Sequence, residues 1–197
     1  MADGSGDGPR VWLVRHGQTE WSRDGRHTGR TDLDLTEEGR EQARQLTGLA
    51  SGLDFDLVLC SPRRRAIQTA ELAGFTPFEV CDDLQEWDYG RFEGLTTPEI
   101  RADHPDWTIW SGPWDGGETA ADVGRRASRL VERVRDSGAA RVVLVGHGHF
   151  SRVTAAAWVG APVDTGRWLE FDTASWSQLG WDRGVAVLTH WNVPVSR

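Results

Sequence analysis

Two histidines, His16 and His147, each follow a short apolar run and each precede a glycine. Val11-Trp12-Leu13-Val14 leads into Arg15-His16-Gly17, and Val142-Val143-Leu144-Val145 leads into Gly146-His147-Gly148. Imidazole serves as nucleophile, proton carrier or metal ligand, so two of them at equivalent places set the chemistry to be explained. Other reactive groups sit at comparable points: Arg15 before the first histidine, Ser61-Pro62-Arg63-Arg64-Arg65 after Leu57-Val58-Leu59-Cys60, and Glu86 shortly after Phe78-Glu79-Val80. Arginine forks match phosphate oxygens two at a time and neutralise them. A neutral imidazole attacks phosphorus, and a carboxyl group placed opposite protonates a leaving alcohol. The set suits phosphoryl transfer on a small molecule.

The elements that must position these groups are legible around them. Short β-branched runs read as buried strands of a parallel sheet, and in open α/β sheets ligands bind beyond the carboxyl ends of the strands. Gln18 to Asp34 is a polar, Gly-rich stretch too long for a turn. Thr36 has the character of an N-cap, with Glu37 and Glu38 in the first turn and Ala43, Leu46 and Leu49 at helical spacing. Ser61-Pro62 is expected to open a helix through Ala66, Ala70 and Ala73, with Ser61 as N-cap, so that its dipole adds to the arginines. Thr119 and Asp122 form a capping box before the stripe Val123, Ala127, Leu130, Val131 and Val134. Arg125, Arg126, Arg129, Arg133 and Arg135 mostly fall off that stripe and read as a solvated face. A helix near His149 to Val159 and strands near Trp176 to Trp181 and Val185 to Trp191 complete the chain. The alternation predicts a three-layer α/β sandwich with a mainly parallel central sheet and helices on both faces. A flexible tail over 1–9 and a single domain over 10–197 are expected.

Composition narrows the function. The chain of 197 residues carries a formal net charge of −8, which opposes broad binding to a phosphate backbone, so nucleic acid is not an expected partner. All 22 basic residues are arginine. That excludes a P-loop lysine and Schiff-base chemistry, and it means that an anion site must be built from guanidinium, imidazole and backbone N–H. No stretch has the length of a membrane span, no membrane partner is expected, and a cytoplasmic location is the default. Cys60 and Cys81 lie in or beside apolar runs and read as buried thiols. The 11 tryptophans include Trp107, Trp110 and Trp114 in a turn-rich segment expected to form a loop or cap over the cleft.

Taken in order, the motifs resemble one family. Arg15-His16-Gly17-Gln18-Thr19-Glu20-Trp21, Thr28-Gly29, Ser61 to Ala70, Leu84-Gln85-Glu86-Trp87-Asp88-Tyr89-Gly90 with Glu93-Gly94, Gly117-Glu118-Thr119 and Gly146-His147-Gly148 are similar to those of the histidine phosphatase superfamily, the phosphoglycerate-mutase-like enzymes. The resemblance covers roughly residues 11 to 155 and is nearest to the sugar-phosphate and acid phosphatases. It implies that His16 becomes phosphohistidine, that Arg15, Arg65 and His147 hold the phosphoryl oxygens, and that Glu86 protonates the leaving group and then activates water. Thr28 and Gly29 match a loop that reaches phosphate or substrate in relatives. Gly17 would accept the bond that fixes the His16 tautomer. Where the family often has a phosphate-binding Asn, Ser22 stands here with a shorter donor. Trp87, Trp107 and Trp110 are candidates to line the substrate. No metal and no other cofactor is implied, because arginines and histidines supply the positive charge.

The expected activity is hydrolysis of a small phosphomonoester, a sugar phosphate or bisphosphate, by a protein for which a homodimer is an open assembly. A 2,3-bisphosphoglycerate-dependent phosphoglycerate mutase would use the same core residues. Such mutases carry a longer, basic insert before Gly-Glu-Thr, whereas here that stretch is short, aromatic and acidic. A non-catalytic module that binds phosphorylated ligands is the other alternative, and it would have no need of Glu86. A metal site built on His16, His147 and His149 lacks an aspartate or cysteine cluster to complete it.

Overall fold

In the computed structural model, which describes residues 8–195, strands β1 (Arg10–Arg15), β2 (Leu57–Cys60), β3 (Glu79–Val80), β4 (Arg141–Gly146), β5 (Trp176–Asp182) and β6 (Val185–Val193) form one sheet in the order β3-β2-β4-β1-β5-β6. The first four in that order run parallel, and β5 and β6 are antiparallel additions at one edge. The tail expected over 1–9 lies outside the described residues through position 7. Its last residue, Pro9, is buried, and its carbonyl accepts the Trp181 indole N–H.

Helices α1 (Glu20–Arg23), α2 (Glu37–Gln45), α3 (Thr47–Gly52), α4 (Arg64–Ala73), α5 (Thr97–Asp103), α6 (Ala120–Asp136) and α7 (Gly148–Trp158) surround the sheet. Side chains alternate along β1 and β4, so each of these strands feeds two cores. Val11 and Leu13 of β1 and Val142 and Leu144 of β4 pack with Val123, Ala127 and Leu130 of α6 and with Phe150 and Val153 of α7. Trp12, Val14, Val143 and Val145 face the other way, against Leu46 and against Ala66, Ala70 and Ala73 of α4. The fold is therefore the expected three-layer sandwich with a mainly parallel sheet. Cys60 and Cys81 are buried and unpaired, and burial pushes the Cys60 thiol up to about 12.

Local signals account for most helix starts. Thr36 caps α2 through Gly39 N, and Thr119 and Asp122 form the capping box of α6. Two expectations need correction. The helix after β2 starts at Arg64 rather than at Pro62, and its first amide is held by Asp32 Oδ1 at 2.8 Å, so Ser61 is free for another partner. The polar stretch after β1 contains α1, and α5 was not anticipated although Thr96 and Glu99 form a capping box.

Arg126 is the third correction. It lies on α6 but is only 8 % exposed. Its Nε and Nη2 meet Glu118 Oε1 and Oε2 at 2.9 and 2.6 Å, and its remaining donors reach the carbonyls of Asp83, Gln85 and Glu86. Glu118 also accepts from Asp88 N, and its carbonyl accepts the Trp87 indole. One bidentate pair thus clamps the segment that carries Glu86. Arg126→Met should lower unfolding stability by about 3 kcal/mol, because it strands a largely buried carboxylate. Urea denaturation measures this, and a loss under about 0.5 kcal/mol, the size of an ordinary surface change, would contradict the clamp.

Candidate active site

The register of the sheet builds the site. Arg15 of β1 lies opposite Gly146 of β4, so the next residue on each strand, His16 and His147, emerges at the same carboxyl edge. Their rings meet edge to face with centroids 5.2 Å apart. The backbone around His16 is pinned on both sides, with His16 N bound to Gly146 O and Ala174 N to His16 O.

His16 is 5 % exposed. Its Nδ1 lies 2.7 Å from Gly17 O, and because a carbonyl only accepts, the proton of the neutral ring is on Nδ1. Nε2 carries the lone pair and has no hydrogen-bond partner among the described residues. Gly17 N is fixed in turn by the Thr69 hydroxyl. A side chain at Gly17 would place Cβ 2.2 Å from Gly39 O, so only glycine permits this close approach. Burial, then the Arg65 and Arg15 guanidiniums, hold the His16 pKa well below 6.5.

Arg15 borders the cleft beside His16. It donates through Nη1 to Phe171 O, and its buried Nε has no partner among the described residues. Arg65 and His147 are completely buried beside His16 and are not among the residues that line the cleft. Arg65 spends its donors on His147 Nδ1 at 3.2 Å and on the carbonyls of Thr28, Gly29 and Thr31. Since His147 Nδ1 accepts, Nε2 carries the ring proton and gives it to Ser61 Oγ at 2.7 Å. That bond is the use to which the displaced Ser61 is put. Burial and the charge of Arg65 hold His147 well below 6.5, and burial lowers Arg65 to about 10.

Glu86 reaches the cleft from the segment after β3. Its Oε1 accepts from Trp87 N and Phe150 N, both at 2.8 Å, and its Oε2 accepts from His149 N at 3.0 Å. Two of these amides are unsatisfied donors in the first turn of α7, so the carboxylate is docked on a helix N-terminus. Oε2 keeps the greater lone-pair capacity.

The cleft enclosed by these groups has a volume of about 180 Å³. Ser22 and Thr28 line it. Ser22 Oγ donates to Thr19 O and accepts from Thr19 N as part of the α1 capping box, which occupies the hydroxyl. Gly29 is buried, and its amide is held by Glu93, which also accepts from Arg30 N and Thr31 N. Trp87 does not line the cleft: it is fully buried with its indole bonded to Glu118 O, so that expectation is corrected. Trp107 and Trp110 flank an adjoining cavity.

The sequence reading assigned no role in the cleft to Tyr89, His149, Arg152 or Arg26, all of which line it. The Tyr89 hydroxyl and His149 Nδ1 share a hydrogen bond of 2.7 Å. Burial raises the tyrosine pKa well above 10 and lowers that of His149 well below 6.5, so both are neutral. Tyr89 stands inside the motif Leu84 to Gly90 and His149 directly follows Gly146-His147-Gly148; the signal was present but their contact spans 60 positions.

Residues 11–194 match the family model of the histidine phosphatase superfamily (branch 1). The chain is 46 % identical over 182 residues to an acid phosphatase of Mycobacterium tuberculosis, covering 91 % of this chain and 90 % of that protein. It is 35 % identical over 190 residues to sedoheptulose 1,7-bisphosphatase of Saccharomyces cerevisiae, covering 79 % and 69 %. A solved structure of a Mycobacterium tuberculosis open reading frame product superposes with a TM-score of 0.89 at 43 % identity, over 95 % of this chain and 99 % of that one.

Because burial and two guanidiniums oppose a second proton on His16, its ring should stay neutral as pH falls from 8 to 5. NMR titration of the ring carbons tests this, and a His16 midpoint near 6.5 would refute the described environment.

Proposed function

Given that the chain belongs to the histidine phosphatase superfamily and is a phosphatase of that group, we propose that it hydrolyses small phosphomonoesters, sugar phosphates or bisphosphates, through a phosphohistidine on His16 and without a metal ion. The observation that carries this reading is the juxtaposition of His16 Nε2 and Arg15 Nε, neither with a partner among the described residues, on two residues that line one cleft. One offers a lone pair to phosphorus, and the other an N–H to a phosphoryl oxygen. The yeast relative named for a sugar bisphosphate supports the substrate class.

In the first step the Nε2 lone pair forms an N–P bond as the bond from phosphorus to the alcohol oxygen breaks. Glu86 gives that oxygen its proton. In the second step the Glu86 carboxylate takes a proton from water, whose oxygen attacks phosphorus and breaks the N–P bond. Inorganic phosphate leaves and both groups return to their starting states. Arg15 neutralises the charge on the transferring group, while the buried Arg65, bonded to a neutral His147, adds positive charge beside His16. Gly17 keeps the attacking nitrogen deprotonated by holding the proton on the other one. Four arginines at or beneath the cleft supply the electrostatic role that a divalent cation has elsewhere.

His16→Ala should cut kcat on p-nitrophenyl phosphate by on the order of 10⁴-fold or more, with an unchanged circular dichroism spectrum. Acid-labile, base-stable phosphate should be trapped on the wild-type chain and not on this variant. Glu86→Gln should slow hydrolysis of sugar phosphates by roughly 10²-fold or more and of p-nitrophenyl phosphate far less, since p-nitrophenolate leaves without a proton. Equal slowing of both would remove Glu86 as the acid. Turnover should persist in EDTA, and its loss there would defeat the metal-free mechanism.

A further inference from the structure

Beside the cleft lies an open cavity of about 450 Å³ that the chemistry above leaves unused. His27 and His149 line both spaces and stand at the boundary where they meet. The cavity is also lined by Trp110, whose ring packs on His149, by Trp168 and by Arg101 and Arg167, and among the described residues no carboxylate lines it. Aromatic faces and guanidiniums without a counter-acid suit a ring bearing negative charge.

The turn that displays two of these residues is fixed. Arg152 Nε donates to Gly166 O at 2.7 Å, and its guanidinium lies 4.8 Å from the Trp110 ring centre. Gly166 presses on the same indole so closely that a Cβ there would stand 2.7 Å from it. Beyond Gly166, Trp168 is 80 % exposed, and Arg167 is exposed with no ion pair or hydrogen bond among the described residues. A held turn that presents a solvated tryptophan beside an unpaired arginine gains nothing for folding. Arg101 is also oriented, its Nε donating to Trp107 O at 3.0 Å while its two terminal nitrogens stay available. The boundary is uncharged: burial takes His27 down to about 4, and His149 is neutral as described, so it offers hydrogen bonds to hydroxyls without repelling cations or anions.

We infer that this chamber receives the alcohol portion of the substrate and selects phosphomonoesters whose alcohol carries both a ring, to lie on Trp110 and Trp168, and a second anionic group, phosphate or carboxylate, to meet Arg101 and Arg167. The inference rests on the phosphatase reading and extends it from the reacting phosphate to the rest of the molecule.

Matched substrates separate the two ideas. Glucose 6-phosphate and glucose 1,6-bisphosphate differ by a second phosphate, glucose 1-phosphate and glucuronic acid 1-phosphate by a carboxylate, and p-nitrophenyl phosphate reports the phosphatase step. For Arg167→Ala, KM for whichever second-anion substrate is preferred should rise roughly tenfold with kcat retained. The uncharged partner and p-nitrophenyl phosphate should stay within about twofold, the range of an ordinary surface change. Trp168→Ala should raise KM for every sugar ester. Equal effects of Arg167→Ala on charged and uncharged partners, or none on either, would overturn the assignment. If the wild-type protein turns over none of these esters, the phosphatase reading fails by itself. Calorimetric binding of glucose 1,6-bisphosphate to wild type and Arg167→Ala then decides the chamber, and equal affinities reject it.

Discussion

Guanidinium groups tied to backbone carbonyls are the contact on which the rest of this structure depends. Arg15 donates to Phe171 O, Arg65 to the carbonyls of Thr28, Gly29 and Thr31, and Arg152 to Gly166 O. A protein that gathers positive charge in a buried cleft must keep those cations from folding back to solvent and from pairing fully with carboxylates. Carbonyl oxygens meet both demands, because they satisfy N–H donors while leaving the net charge in place. Each such bond also pins a loop, so the charges of the site and the shape of its walls are set together.

The same economy governs Glu86. Its carboxylate is oriented by the first-turn amides of α7, and the segment that carries it is clamped by the pair of Glu118 and Arg126. The helix whose N-cap is His147 thus also fixes the position of Glu86 relative to the histidines. A shift in α7 would move Glu86 and His147 together, because one rigid element orients both.

Much of this was legible in the sequence because it depends on short-range rules. The runs before His16 and His147 read as strands from their β-branched content, and the caps at Thr36 and Thr119 follow from residues three positions apart. Other features escaped because their cause lies far along the chain. Ser61 has the signature of an N-cap, yet Asp32 takes that duty from 32 positions away and Ser61 turns to His147. Arg126 falls off the apolar stripe of α6, which ordinarily means solvent, but Glu118 and three carbonyls bury it. Trp87 carries the composition of a sugar-stacking residue, and only its bond to Glu118 O shows it to be core.

By itself the sequence determined the sandwich, the gathering of His16, Arg15 and Glu86 at one crevice, and the reliance on arginine for positive charge, because strand periodicity, capping and side-chain chemistry are local properties. The tertiary structure alone decided that Arg65 is buried against His147, that Tyr89 and His149 stand at the cleft wall, and that a cationic, aromatic chamber adjoins it. Those facts depend on which distant residues the register of β1 and β4 and the docking of α6 and α7 bring within a hydrogen bond of one another, and no local pattern encodes that choice.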